Sequence, residues 1–164
     1  MAIKNKKPKN KIFVLLHNIR SAHNVGSIFR TSDALGVDEI YISGYTPSPK
    51  DRFGRWRPDI AKVALGAERN LMWRQVKNPK KLLSNLKNKG VKIVALEQSP
   101  ESVDYKKLKI SGDTVFIVGN EVGGVDSDLL SLSDFIVEIP MRGQKESLNV
   151  SVAFGVAMFR ILNQ

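Results

Sequence analysis

The stretch I12-F-V-L-L-H-N-I-R-S-A-H-N-V-G-S-I-F-R-T-S-D-A-L-G36 decides the architecture. It opens on five consecutive apolar residues, Ile12 to Leu16, the pattern of a strand buried on both faces. From Asn24 onward Val25, Ile28, Phe29 and the segment from Ser32 to Leu35 follow helical spacing. Gly36 then stands where a left-handed residue closes a helix. The same alternation recurs along the chain. Glu39 to Ser43, Val91 to Leu96, Thr114 to Gly119 and Phe135 to Ile139 are expected strands. Pro79 to Gly90, Asp126 to Leu132 and Val150 to Leu162 are expected helical segments, the first opened by Pro79 and closed by Gly90. Strands alternating with helices argue an α/β fold, a mostly parallel sheet with helices on both faces. Residues 44–58, with Gly44, Pro47, Pro49, Gly54 and Pro58, form a long loop. A loop of that length in a compact domain is usually functional or disordered.

Composition narrows the function. The 164 residues fit one domain: a basic tail over residues 1–10 and a folded unit over 11–164. With no cysteine, disulfides, thiolate catalysis and Cys-ligated zinc are excluded, which fits a reducing, cytoplasmic setting. The longest apolar run is far too short to span a membrane. The net charge of +10 is unevenly placed. Residues 1–11 hold five lysines and no acid, and residues 50–92 hold thirteen basic against three acidic residues. Such asymmetry points to a polyanion partner, RNA before membrane, with a solvated basic surface as the alternative.

Active sites of parallel α/β sheets lie at the carboxyl ends of strands. Three loops there are unusual: the one after Leu16, G119-N-E-V-G-G-V125, and I139-P-M-R-G-Q-K-E-S-L-N-V-S151. The glycine loop either lets backbone approach a ligand or makes a tight turn. It does not match the G-x-G-x-x-G dinucleotide fingerprint. Glu121 is an unnatural turn residue and suggests a purposeful charge. Arg30 is a surface arginine or a functional one. Ser147 and Asn149 precede an apolar helix and could serve as its cap. His17 and His23 are too poorly spaced for a metal pair, and His23 is expected in a loop.

Taken together, N24-V-G-S-I-F-R30-T, F-I-V-G119-N-E121-V-G-G-V and I139-P-M-R-G-Q-K-E-S147-L-N149-V-S resemble, in order, the three motifs of the SpoU family of RNA ribose methyltransferases, within the SPOUT superfamily. The resemblance covers nearly the whole chain, as a catalytic domain without an added RNA-binding domain. It implies a C-terminal trefoil knot, against the general rarity of knotted connections, and a homodimer. It implies S-adenosylmethionine as methyl donor, held by Leu96, Gly119, Ile139, Met141 and Leu148. No metal is implied. The implied reaction is displacement at the sulfonium methyl by a ribose 2′-hydroxyl of tRNA or rRNA.

The resemblance assigns activation of that hydroxyl to Arg30, surrounded by Asn24, Glu121, Ser147 and Asn149. A guanidinium is almost never a base. Arg30 is therefore expected to stabilise the developing alkoxide together with a substrate phosphate, held in place by Glu121 and Asn24. The alternatives are a base methyltransferase of the same superfamily and a non-catalytic RNA-binding or assembly factor; Ser147 and Asn149 favour ribose. Lys4, Lys6, Lys7, Lys9 and Lys11, with Arg52, Arg55 and Arg57, are expected to grip the RNA backbone. Trp56 either stacks on a base or packs within the protein.

Overall fold

The computed structural model describes residues 10–163. The expected tail lysines Lys4, Lys6, Lys7 and Lys9 lie outside the described residues. In chain order the elements are β1 (Ile12–His17), α1 (Ala22–Leu35), β2 (Glu39–Ser43), α2 (Pro58–Ala64), α3 (Ala67–Asn70), β3 (Met72–Val76), α4 (Pro79–Asn88), β4 (Lys92–Leu96), β5 (Val103–Asp104), a 3-10 turn at Tyr105–Lys107, β6 (Thr114–Val118), α5 (Ser127–Leu130), β7 (Phe135–Glu138) and α6 (Val150–Ile161).

The seven strands form one sheet in the order β3-β2-β1-β6-β4-β7-β5, and every pairing is parallel. The middle strands β1, β6 and β4 read as apolar runs because both faces are covered. On one face Val14, Leu16, Ile40, Ile42, Val94, Phe116 and Val118 pack under α1, α2 and α6 through Val25, Ile28, Phe29, Ile60, Phe154 and Met158. On the other, Leu15, Tyr41, Ile93, Ala95, Val115 and Ile117 meet Leu83 and Leu86 of α4 and Leu129 of α5. The expected α/β fold with two covered faces is what forms.

Helix α1 begins where Ser21 accepts the Asn24 N–H at 3.2 Å and ends at Gly36, whose φ of 67° is left-handed. His23 lies on this helix and not in the loop before it, because the cap is Ser21. Gly26 in its first turns lets α2 approach: a Cβ there would stand 2.8 Å from the Ile60 carbonyl oxygen and 2.9 Å from Val63 Cβ. The sequence reading passed over α2, α3, β3 and β5. Two of these sit at the sheet edges, where a strand carries no continuous apolar run. Among the described residues no helix is long and apolar enough to cross a membrane.

Candidate active site

In a parallel sheet all carboxyl ends share one edge, so the loops after β1, β6 and β7 meet there. Glu121 is the centre of that meeting. Its carboxylate accepts the Arg20 N–H at 2.9 Å, the Ser21 N–H at 3.1 Å and the Asn24 side-chain amide at 2.9 Å. The free N–H groups at a helix start carry partial positive charge, which suits a carboxylate. Partial burial pushes the Glu121 carboxyl up. Donation from Arg20, Asn24 and Ser21 outweighs it, so its pKa lies below the ordinary 4.5.

Asn24 is itself buried and uses both ends of its amide. Its nitrogen serves Glu121, and its oxygen accepts from Asn149 Nδ2 at 3.1 Å. Asn149 in turn caps α6, its Oδ1 accepting the Ser151 N–H at 2.9 Å and the Val152 N–H at 3.4 Å. Asn149 therefore caps α6 and reaches the Glu121–Asn24 pair at once. One relay, Glu121–Asn24–Asn149, ties the second, first and third motifs together.

The loop after β6 is self-supporting. Asn120 and Gly124 exchange backbone hydrogen bonds at 2.9 Å, and Asn120 Oδ1 accepts the N–H groups of Val122 and Gly123. A Cβ at Gly119 would collide with the Gly124 backbone. Gly124, at φ 71°, would push one into the Glu97 carboxylate. The loop's own geometry thus accounts for these two glycines. Asn120 completes its bonding with its amide nitrogen, which donates to the Asn18 carbonyl and to the Tyr45 hydroxyl, both at 2.9 Å.

Beside this loop lies a cavity of about 290 Å³. Leu96, Gly119, Ile139, Met141 and Leu148 all line it, as do Val118, Val150 and Ala153. Four acidic residues, Glu97, Glu121, Glu138 and Glu146, are among its lining, although the chain as a whole is strongly basic. Apolar walls with backbone polar groups suit a flat heterocycle, and the carboxylates suit a positive charge on the same ligand. Gln98 Nε2 donates to the Glu146 carbonyl at 2.7 Å and closes the wall between the loops after β4 and β7. Ser147 also lines the cavity, with its side chain exposed.

Arg30 is exposed and makes no hydrogen bond or ion pair among the described residues. The expectation that Glu121 and Asn24 hold it is not met. Six residues beyond Asn24, Arg30 is about 9 Å further along α1 and on another face of it. Glu121 is already engaged by the helix start. For Trp56 the structure favours the packing alternative. Trp56 is half-buried, with Lys50 Nζ 4.6 Å and the Arg69 guanidinium 5.3 Å from its ring centroid. Arg55 is paired with Asp51 at 2.9 Å and Arg57 with Asp59 at 2.6 Å, so these charges are partly offset. Lys11 is exposed beside the first strand, its N–H donating to Asp113 Oδ1 at 2.8 Å.

Ser43, His17 and Asp126 form a hydrogen-bonded line, with His17 Nδ1 2.7 Å from Ser43 Oγ and Nε2 2.9 Å from Asp126 Oδ2. Ser43 is only 2% exposed, so the line cannot act as a nucleophilic triad. It pins β1 to β2 and to the start of α5. The sequence reading missed Asn120, Glu97 and Gln98. Their importance comes from loops far apart in the chain, although the unusual N-E pair at 120–121 was a usable signal.

Known proteins resemble the chain in both sequence and fold. The chain is 33% identical over 158 residues to the tRNA (guanosine(18)-2′-O)-methyltransferase of Aquifex aeolicus, covering 96% of this chain and 72% of that protein. It is 29% identical over 164 residues to the 23S rRNA (guanosine-2′-O-)-methyltransferase RlmB of Coxiella burnetii, covering all of this chain but 63% of the relative. The crystal structure of the AdoMet-bound rRNA methyltransferase from Sinorhizobium meliloti superposes with a TM-score of 0.83 at 25% identity, over 97% of this chain and 59% of that one. The SpoU rRNA Methylase family model matches residues 11–159, and the chain belongs to that family.

Proposed function

We propose that this protein transfers a methyl group from S-adenosylmethionine to a ribose 2′-hydroxyl of tRNA or rRNA. The observation that carries the reading is the Glu121–Asn24–Asn149 relay, which gathers the three family motifs at the mouth of one cavity. The named activities of the relatives agree with it. S-adenosylmethionine supplies, when bound, an electrophilic methyl on a cationic sulfur. Leu96, Ile139, Met141 and Leu148 would enclose its adenine and Gly119 would offer main chain, while the wall carboxylates favour its positive charge.

The chain's own work is on the nucleophile. A ribose hydroxyl is weak at neutral pH. Arg30, with no side-chain partner among the described residues, is free to hold the oxygen as its proton passes to solvent and the thioether S-adenosylhomocysteine leaves, and to hold an adjacent phosphate with its planar fork. Glu121 and Asn24 set where α1 begins, and so position Arg30 through the helix. Ser147 stands at the cavity wall, close to where ribose would enter.

Two structural expectations belong to the same reading. Strand β7 pairs with both β4 and β5, so the chain inserts a late strand between two earlier ones before α6 returns to α1. This supports the trefoil knot. Val152, Val156 and Phe159 on α6 are 50%, 42% and 40% exposed at helical spacing. Such a stripe supports a homodimer, and Arg30 would then serve the partner's cavity. The basic segments at Lys4, Lys6, Lys7, Lys9 and Lys11 and at Arg52, Arg55 and Arg57 would follow the RNA backbone, with residues 1–10 as a tail to the domain at 11–164. A chain without cysteine suits the cytoplasm. The test is transfer of labelled methyl from S-adenosylmethionine to purified tRNA and to rRNA. Incorporation into either supports the proposal. No incorporation, by protein that is folded and binds the donor, would refute it.

A further inference from the structure

The loop between β2 and α2 ends in a tip that is rigid, aromatic and basic at once. The Asp51 N–H donates to the Arg55 carbonyl at 2.9 Å, and Gly54 N–H to the Asp51 carbonyl at 3.0 Å, with Gly54 at φ 78°. Asp51 Oδ1 accepts the N–H groups of Phe53 and Arg55 at 2.8 and 3.0 Å, and Oδ2 accepts Arg55 Nε at 2.9 Å. Lys50 and Trp56 pair below the tip as an antiparallel bridge. Held out by this frame, Phe53 is 66% exposed. The Arg52 and Arg55 guanidiniums lie 4.7 and 5.0 Å from its ring centroid.

A single exposed apolar side chain is ordinary; Phe53 is set apart by the hydrogen-bonded frame that holds it out between two guanidiniums. The charges around it choose the occupant. Arg52 has no ion-pair partner among the described residues, and Lys50, Arg57 and Arg69 stand on the same loop and the helix behind it. Trp56 is the larger aromatic, but it is half-buried below the tip, whereas Phe53 stands out from it. Asn120 on the cavity wall bonds Tyr45 at the root of this loop, so the tip and the cavity are parts of one connected edge.

We propose that Phe53 is a stacking platform for an unpaired base of the RNA substrate, with Arg52 holding a flanking phosphate and Arg55 stiffening the tip. Stacking needs a base free of its duplex, so the partner is a loop or single strand and not a continuous helix. The inference rests on the RNA reading above and adds the residue that grips the base.

The test compares binding of the full-length protein to a labelled single-stranded oligouridylate of about twelve nucleotides with binding to a paired RNA duplex of equal length. Measurements are made at several salt concentrations. Phe53→Ala should weaken single-strand binding about fivefold or more without changing the salt slope, and should leave duplex binding unchanged. Phe53→Tyr should restore it. Arg52→Ala should instead reduce the log–log salt slope by about 0.7. The proposal is overturned if folded Phe53→Ala binds the single strand normally, if both RNAs are weakened equally, or if the variant sediments as a smaller species, which would make Phe53 a subunit contact. If the wild-type protein binds neither RNA, the RNA reading falls with it. Normal methyl transfer and single-strand binding by the variant would remove the stacking platform alone.

Discussion

The Asn24 amide nitrogen donates to the Glu121 carboxylate at 2.9 Å, joining the first turn of α1 to a loop 97 residues further along the chain. An apolar residue at 121 would strand the Asn24 amide nitrogen, and one at 24 would cost Glu121 one of its three donors. Asn24 is buried, and Glu121 supplies the acceptor for the N–H of the cap residue Ser21 and of Arg20 just before it.

Asn24→Ala removes the middle of the relay. It leaves Asn149 Nδ2 without its acceptor and Glu121 with one donor fewer. A cost of about 1–3 kcal/mol is expected from such orphaned groups. Urea unfolding followed by circular dichroism reads it, and a variant as stable as wild type would show that the relay carries no stability.

Glu121 makes this contribution depend on pH. Its folded pKa is depressed below 4.5, so the ionised form is what the fold stabilises. The contribution is complete above that value and is lost as pH falls through the lower folded value. The stability gap between wild type and Glu121→Gln should therefore be constant at neutral and mildly acidic pH and shrink only below 4.5. A gap that widened on acidification would reverse the sign and contradict the assignment.

Gly26→Ala should lose about 1–3 kcal/mol through overpacking, because Ile60 and Val63 of α2 occupy the space a methyl would need. Gly143→Ala is the control. Nothing lies within 4 Å of a Cβ there, so thermal melts should barely move. Equal melting shifts in the two variants would show that the α1–α2 approach is not what Gly26 is for.

Arg30→Ala should abolish methyl transfer while cofactor affinity stays within a few fold, since Arg30 does not line the cavity. Arg30→Lys should also fail, because an ammonium lacks the fork that could hold an alkoxide and a phosphate together. Turnover assays paired with calorimetry separate the two effects. Near-normal turnover in the lysine variant would reduce Arg30 to a point charge.

How much of this was legible in the sequence follows from where each element is buried. β1, β4 and β6 lie in the interior of the sheet and are apolar on both faces, so their runs are visible in the chain. β3 is an edge strand, M72-W-R-Q-V76, with Met72 69% exposed and Arg74 on the ring of Tyr41, and no pattern marks it. α2 carries no clear mark because Pro58, which opens the helix, reads equally as the last turn residue of the loop at 44–58. At the site, the five cavity residues were reachable because the motifs come in order. The partner of Glu121 was not. Arg30 is the charged residue that sequence logic offers, yet the carboxylate is taken by backbone N–H groups that carry no mark in the sequence. That Phe53 and not Trp56 is the exposed ring is unmarked for a similar reason, since it follows from how Asp51 frames the tip.

The account stands most directly on where the methyl group lands. RNA labelled by the wild-type protein from methyl-labelled S-adenosylmethionine is hydrolysed in alkali, which cleaves after every free 2′-hydroxyl and spares a methylated one. The account predicts label in alkali-stable dinucleotides, and none when Arg30→Ala replaces the wild-type protein. Label recovered in mononucleotides would mean that a base is methylated and would contradict the ribose assignment.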